Sequence, residues 1–217
     1  MKKIIIMIIA LTATLTMWAQ SGREHQNRFG FGTGGQYYGL RLGLNIASLS
    51  SDDVNMDLDS RTGVNFGAVY GIQLANDTPL WLEAGLSYSE KGGKATVGGE
   101  MVKCRLSYLQ VPIVVKYSFD VYEGIYVNPF LGGYLAFGVG GKQKNYGTAA
   151  ANYKDRHADS SFETFNRFDG GLRIGCGAEY QMVYAEVGFD FGLANISSDD
   201  FATTRNQCFF INIGVNF

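Results

Sequence analysis

The sequence predicts an all-β protein, an eight-stranded antiparallel up-and-down transmembrane β-barrel, and three observations carry that expectation. From Tyr38 onward the chain reads as eight segments in which every second residue is apolar, the period of a sheet with two unlike faces. The connections between these segments alternate strictly between long and short. Glycine supplies 29 of the 217 residues, and within the segments it collects on the face that carries the charges.

Composition removes several other classes. The 18 Lys and Arg balance 20 Asp and Glu, so the basic face that nucleic acid would require is missing. Two His and three scattered Cys do not make a zinc-finger or disulfide scaffold. No cofactor and no resident metal are expected. At 18% charged and 14% aromatic residues, the chain is also unlike a disordered one.

The first 19 residues have the layout of a signal peptide. Lys2 and Lys3 precede an apolar run from Ile4 to Leu15, and small or polar residues lead to a cleavage site after Ala19. That run is shorter than the about 20 residues a spanning helix needs. No cysteine follows at once, so a lipid anchor is not expected. Residues 20–36 are polar and Gly-rich and read as a periplasmic N-terminal tail, leaving 37–217 as the barrel domain.

The first segment sets Leu40, Leu42 and Leu44 against Gly39, Arg41, Gly43 and Asn45. In the second, Val64, Phe66, Ala68, Tyr70 and Ile72 form the apolar set. The third carries Leu80, Leu82, Ala84, Leu86 and Tyr88, with Trp81, Glu83, Gly85 and Ser87 opposite. In the fourth, Leu109 to Tyr117 alternates with Tyr108, Gln110, Pro112, Val114 and Lys116. The fifth, Tyr126 to Phe137, is apolar on both faces, and its register stays open. Phe168 to Ala178 then alternates with Asp169, Gly171, Arg173, Gly175, Gly177 and Glu179. Val183 to Leu193 alternates with Tyr184, Glu186, Gly188, Asp190 and Gly192. The last segment sets Phe209, Ile211, Ile213, Val215 and Phe217 against Phe210, Asn212, Gly214 and Asn216. Strands of about 9–11 residues cross a bilayer when tilted by about 45°.

The long connections are Ala47 to Arg61, Ser89 to Ser107, Gly138 to Arg167 and Ala194 to Gln207; the short ones lie near Asn76–Pro79, Asp120–Gly124 and Tyr180–Gln181. Short turns at one end and long loops at the other are the habit of membrane barrels. The competing architecture is a soluble, lipocalin-like carrier, whose apolar face would line a ligand cavity. Glycine decides between them, because it relieves crowding inside a narrow barrel and would weaken strands on a solvated surface. With that face inward, the lumen holds a charge network of Arg41, Glu83, Lys116, Asp169, Arg173, Glu179, Glu186 and Asp190. Tyr70, Tyr117 and Phe217 near one rim, and Tyr88, Phe168 and Phe209 near the other, are candidate aromatic girdles.

The alternating stretch from Phe209 to the aromatic Phe217 resembles the C-terminal signal read by the barrel assembly machinery. Tyr108-Leu109-Gln110-Val111-Pro112 and its continuation to Tyr117 resembles the YLxxP strand of the PorT-like outer-membrane β-barrel family of Bacteroidota. Gly39 to Asn45 and Asn128 to Gly133 fit the same pattern. The resemblance implies a small OmpA- or OmpX-like barrel in the outer membrane. For the name-giving member it implies support of a protein-secretion system, a role that shared fold does not transfer.

Candidate chemistry is sparse, and no enzyme activity is expected. His157, Asp159 and Ser160 are the residue types of acyl transfer, but loops are ordinarily rich in Asp and Ser. His25 sits in the tail. Asp52, Asp53, Asp57 and Asp59 of the first loop with Asp199 and Asp200 of the fourth would form an acidic rim without Ca²⁺-loop spacing. Lys91, Lys94, Lys103 and Arg105 of the second loop adjoin Lys142, Lys144, Lys154, Arg156 and Arg167 of the third. That basic half, with Lys142, Lys144 and Lys154 foremost, is a candidate contact for lipopolysaccharide phosphates. A Cys104–Cys208 bridge would have to cross the barrel mouth, whereas Cys176 should face lipid.

The expected role is a structural or interaction protein of the cell outer membrane, with a side-chain-filled lumen, acting through its outer loops. Its partners would be outer-membrane lipid and lipopolysaccharide, the assembly machinery during insertion, and secretion or envelope proteins. An accessory role in secretion or envelope assembly is the alternative; a small pore, a lipid-modifying enzyme and a soluble carrier stand further off.

Overall fold

Eight long strands follow one another in the computed structural model, each antiparallel to its sequence neighbour, and the last pairs with the first. The structure describes residues 35–51, 57–74, 78–97, 100–146, 166–196 and 204–217. The strands are β1 (Gln36–Ser51), β2 (Arg61–Gln73), β3 (Leu80–Val97), β4 (Glu100–Tyr117), β5 (Ile125–Tyr146), β6 (Phe168–Tyr180), β7 (Val183–Gly192) and β8 (Thr204–Asn216). Two short strands, Asp57–Asp59 and Phe119–Tyr122, pair with β3 and β5. Closure leaves no open edge around the wall, which is what a sheet needs where water cannot satisfy its backbone.

The stagger of the wall follows from the pairing. Tyr38 stands opposite Tyr70, and the row continues through Ala84, Ile113, Gly133, Leu172, Phe191 and Gln207 to Ser48. One circuit thus returns to β1 ten residues from its start. Ten residues of rise set against eight strand spacings tilt the strands by about 40°.

The two faces sort as period 2 demands. Leu40, Leu42 and Leu44 are 52–55% exposed on the outside, and Arg41 and Asn45 are buried inside. On β4, Leu109, Val111, Ile113, Val115 and Tyr117 point out, whereas Tyr108, Gln110, Val114 and Lys116 are buried. The register of β5 also has a definite reading: Leu131, Leu135 and Phe137 are exposed, and Phe130, Tyr134 and Ala136 point inward.

Glycine on the inner face makes room for rings. A Cβ at Gly177 would enter the space of the Tyr184 ring, at Gly175 that of Phe130, and at Gly188 that of Phe210. At Gly171 it would meet the backbone carbonyl of Phe191 on the adjacent strand. The interior is therefore crowded by large side chains lying over glycines and, at some points, by the wall itself.

The strands are longer than their alternation suggests, 18 residues in β3 and β4 and 22 in β5. The expected second loop, Ser89 to Ser107, is mostly a hairpin in which Lys94 pairs with Lys103 and Val97 with Glu100. Part of the third, from Gly138, is the continuation of β5, with Tyr146 opposite Met101. Once strands rise above the apolar belt, neither face needs to be apolar, and the alternation that marks them fades. The first loop contains the short strand Asp57–Asp59, and β1 begins at Gln36. Residues 1–34, Asp52, Asp53, Lys154, Arg156, His157, Asp159, Ser160, Asp199 and Asp200 lie outside the described residues.

Candidate functional site in the lumen

The inward-facing positions bring charged side chains from many strands into two layers. Toward the end with the chain termini, Glu83 of β3 accepts from Lys116 Nζ at 2.7 Å, Tyr37 Oη at 2.6 Å and Arg41 Nη2 at 3.4 Å. Lys116 also donates to the Tyr184 hydroxyl at 3.0 Å. The Arg41 guanidinium lies over the Tyr184 ring, 4.1 Å from its centroid. Glu179 accepts from Asn216 Nδ2 at 2.9 Å.

Toward the loop end the centre is Asp190 of β7. Arg173 grips it in the bidentate manner that suits guanidinium to carboxylate, through Nε at 2.6 Å and Nη2 at 3.0 Å. Gln110 Nε2 donates to the same carboxylate at 2.9 Å. Lys91 Nζ bridges Asp190 at 3.4 Å and Asp169 at 3.7 Å, and sits 3.9 Å from the Tyr134 ring centroid. Asp169 also accepts from Asn206 Nδ2 at 3.0 Å. An apolar cluster of Leu49, Cys104, Leu106, Tyr108, Ala136 and Ile196 adjoins this layer.

Asn45, Asn65 and Ser89 form a hydrogen-bonded chain, and Glu186 accepts from Asn212 Nδ2 at 2.7 Å. All five line a cavity of about 30 Å³, shared with Arg41 and Arg173, room for about one water. Among the described residues, the lumen pairs are Arg41–Glu83, Lys116–Glu83, Lys91–Asp169, Lys91–Asp190 and Arg173–Asp190. Removing ions from water is offset only by close partners of opposite sign. The arrangement can hold a closed interior rigid, because Lys91 of β3 reaches Asp169 of β6 and Asp190 of β7, and Gln110 and Lys116 of β4 reach Asp190 and Tyr184 of β7, across the lumen.

Of the expected lumen residues, Arg41, Glu83 and Lys116 share one centre, Asp169, Arg173 and Asp190 share the other, and Glu179 and Glu186 are held by asparagines. Lys91 is the correction: expected on the outer rim, it lies inside with its side chain 0% exposed. The signal was available, because Trp81, Glu83, Gly85, Ser87 and Ser89 continue inward by steps of two to Lys91. Lys142 and Lys144 occupy β5 positions opposite Arg105 and Lys103.

Among the described residues, no group of His, Cys, Asp and Glu is placed to share a metal ion. None of Cys104, Cys176 and Cys208 is in a disulfide; the first and last are buried and Cys176 is exposed on the outer face. In the folded barrel a membrane-permeant maleimide is therefore expected to modify Cys176 alone, with Cys104 and Cys208 reacting after boiling. Mass spectrometry of the labelled protein checks this, and modification of Cys208 before unfolding would contradict the buried placement.

Residues 18–198 match a family model described as outer membrane protein beta-barrel domain. A comparison with curated proteins found no match. Among solved structures, the chain is similar to Ail, the attachment invasion locus protein of Yersinia pestis, at 14% identity and TM-score 0.43, covering 83% of this chain and 98% of that one. Neisserial surface protein A is similar at 16% identity and TM-score 0.45, with 84% and 99% covered. The outer membrane protein OprG from Pseudomonas aeruginosa is similar at 10% identity and TM-score 0.46, with 86% and 98% covered.

Proposed function

The chain belongs to the outer membrane protein beta-barrel domain family, and from that premise we propose that this small outer-membrane barrel is a structural and interaction protein that works through its loop end. The observation that carries the reading is the filled lumen. Ion pairs and amides from several strands meet across it, and a cavity among the described residues there has a volume of about 30 Å³. An eight-stranded interior is ordinarily filled by side chains in this way. What the protein offers to other molecules is then its outer surface, above all the sheet that β3, β4 and β5 raise at the loop end. Lipopolysaccharide, outer-membrane lipid and envelope proteins are the partners such a surface would meet, with the assembly machinery acting earlier, on β8.

A PorT-like kinship is the narrower reading, supported by the YLxxP strand. Two of its motif residues have a local explanation: Tyr108 is buried, accepting from Asn206 Nδ2 at 3.2 Å, and Pro112 packs over Gly85. These are contacts of the barrel interior, so the motif supports architecture more directly than a part in secretion.

The test is electrical. The folded protein, identified by faster migration unboiled than boiled, is expected to give no conductance steps in a planar bilayer. Stepwise currents from the same heat-modifiable preparation would make it a pore and remove the reading.

A further inference from the structure

We propose that the outward face of β3, β4 and β5 at the loop end is a binding site for lipopolysaccharide, with a basic ladder for its phosphates above an apolar groove for an acyl chain. The proposal rests on the outer-membrane reading given above and names a partner for that surface.

The ladder follows from register. Lys94 on β3 stands opposite Lys103 on β4, which stands opposite Lys144 on β5. Two residues down, Arg105 stands opposite Lys142. Paired positions share a face of the sheet, and so do positions two apart along one strand. The five basic residues thus occupy two successive rows of one face. A bulge at Ser107/Tyr108 shifts β5 by one residue, and that shift gives Lys142 and Lys144 register positions in line with Arg105 and Lys103 rather than with Tyr134 and Ala136.

Like charges directly opposite one another destabilise a sheet. Some relief is internal, since Arg105 pairs with Glu90, and Asp59 stands opposite Lys94. No acidic residue stands opposite Lys103, Lys142 or Lys144 in the pairing. A bound anion would remove the repulsion that remains. Three strands about 4.8 Å apart make the ladder about 10 Å wide, a width suited to a headgroup with more than one phosphate.

Below the ladder on the same outward face lies a groove of about 490 Å³ lined by Val111 and Ile113 of β4, Gly133 and Leu135 of β5, and Phe168 and Gly170 of β6. Its floor is backbone, because Gly133 and Gly170 stand where neighbouring outward positions carry large side chains. At its upper end Arg167, next to Phe168, is held by donating Nη1 to the Gly138 carbonyl at 3.2 Å. Cations above an apolar trough of this size match an anionic amphiphile. Basic side chains bind phosphate through charge-assisted hydrogen bonds, and basic sites on membrane proteins hold lipid headgroups in this manner.

The full barrel would be reconstituted in phosphatidylcholine nanodiscs containing either lipopolysaccharide or phosphatidylglycerol, and the lipid retained on extraction counted by native mass spectrometry. Lipopolysaccharide is expected to be retained and phosphatidylglycerol to be lost. The variant Lys94→Gln, Lys103→Gln, Lys142→Gln, Lys144→Gln should lower retention at least about tenfold. Gly133→Leu keeps every charge and fills the groove; its Cβ meets only the Gly171 carbonyl, at 3.2 Å, and its retention should fall as well. Heat-modifiable migration of each variant shows that it is folded. Equal retention by the quadruple variant, or phosphatidylglycerol held as firmly as lipopolysaccharide, would overturn the site. Unchanged retention by Gly133→Leu would overturn the groove as its acyl half. Conductance of the same samples reports separately on the filled lumen, so loss of one reading is distinguishable from loss of the other.

Discussion

Replacing Lys91 with Met is expected to destabilise the barrel by about 3–5 kcal/mol, the usual cost of removing one partner from a buried ion pair. Lys91 is the cation paired with Asp169, and the second cation on Asp190. Without it, Asp190 keeps Arg173 and Gln110, whereas the partners of Asp169 among the described residues are the uncharged donors Asn206 and Tyr134. The stranded charge is thus mainly that of Asp169, and a second change, Asp169→Asn, should restore the larger part of the loss. Such recovery is the mark of two residues acting on one interaction. Urea unfolding in lipid vesicles, followed by the fraction of fast-migrating band, measures both variants. A loss below about 1 kcal/mol for Lys91→Met would mean that this ammonium is not the tie described.

The Gly171→Ala substitution is expected to be as damaging for an unrelated reason. The added methyl would lie against the Phe191 carbonyl on β7, and a backbone group in a hydrogen-bonded wall cannot swing aside as a side-chain tip can. Overpacking costs about 1–3 kcal/mol where neighbours can adjust; here the expected result is at or beyond the top of that range, seen as loss of the heat-modifiable band. Gly140→Ala is the control. Nothing lies within 4 Å of the position its Cβ would take, so its stability should stay within about 0.5 kcal/mol of the parent. If the two alanines behaved alike, crowding would not be the reason for glycine on the inner wall.

Both residues bear on how far the amino-acid order can be read. Gly171 was legible: it falls among the charged alternates of Phe168 to Ala178, and that company identified the inner face. Lys91 carries a weaker signal, its parity with Glu83, without the apolar alternates that would mark the strand. The apolar series of β3 stops at Tyr88, because Glu90, Lys91, Gly92 and Gly93 follow it. Above the belt, outward positions meet water and need not be apolar, so period 2 persists in the backbone while vanishing from the composition. The same cause hid the upper part of β5, where Lys142 and Lys144 look like loop charges but hold ladder positions. The inner residues of β5 were obscure for the opposite reason. Phe130, Tyr134 and Ala136 are apolar inside as their neighbours are outside, because Phe130 lies over Gly175 and serves as packing rather than as charge. Pairing across the lumen, such as Lys91 with both Asp169 and Asp190, depends on the ten-residue stagger, which no local pattern encodes.

The pairing of β1 with β8, from Gly39 with Asn216 to Ser51 with Thr204, bears on how the molecule comes into being. It joins stretches from opposite ends of the described chain, so its contacts carry the largest loop-closure penalty in the fold. Before it forms, β1 and β8 each present a row of unpaired amide and carbonyl groups, and hydrocarbon offers those groups no partner. A seven-strand or half-inserted sheet has no comfortable resting place in the bilayer on its own, so entry into the membrane calls either for zipping of this seam in the same step or for an assembly factor that covers both edges until it closes.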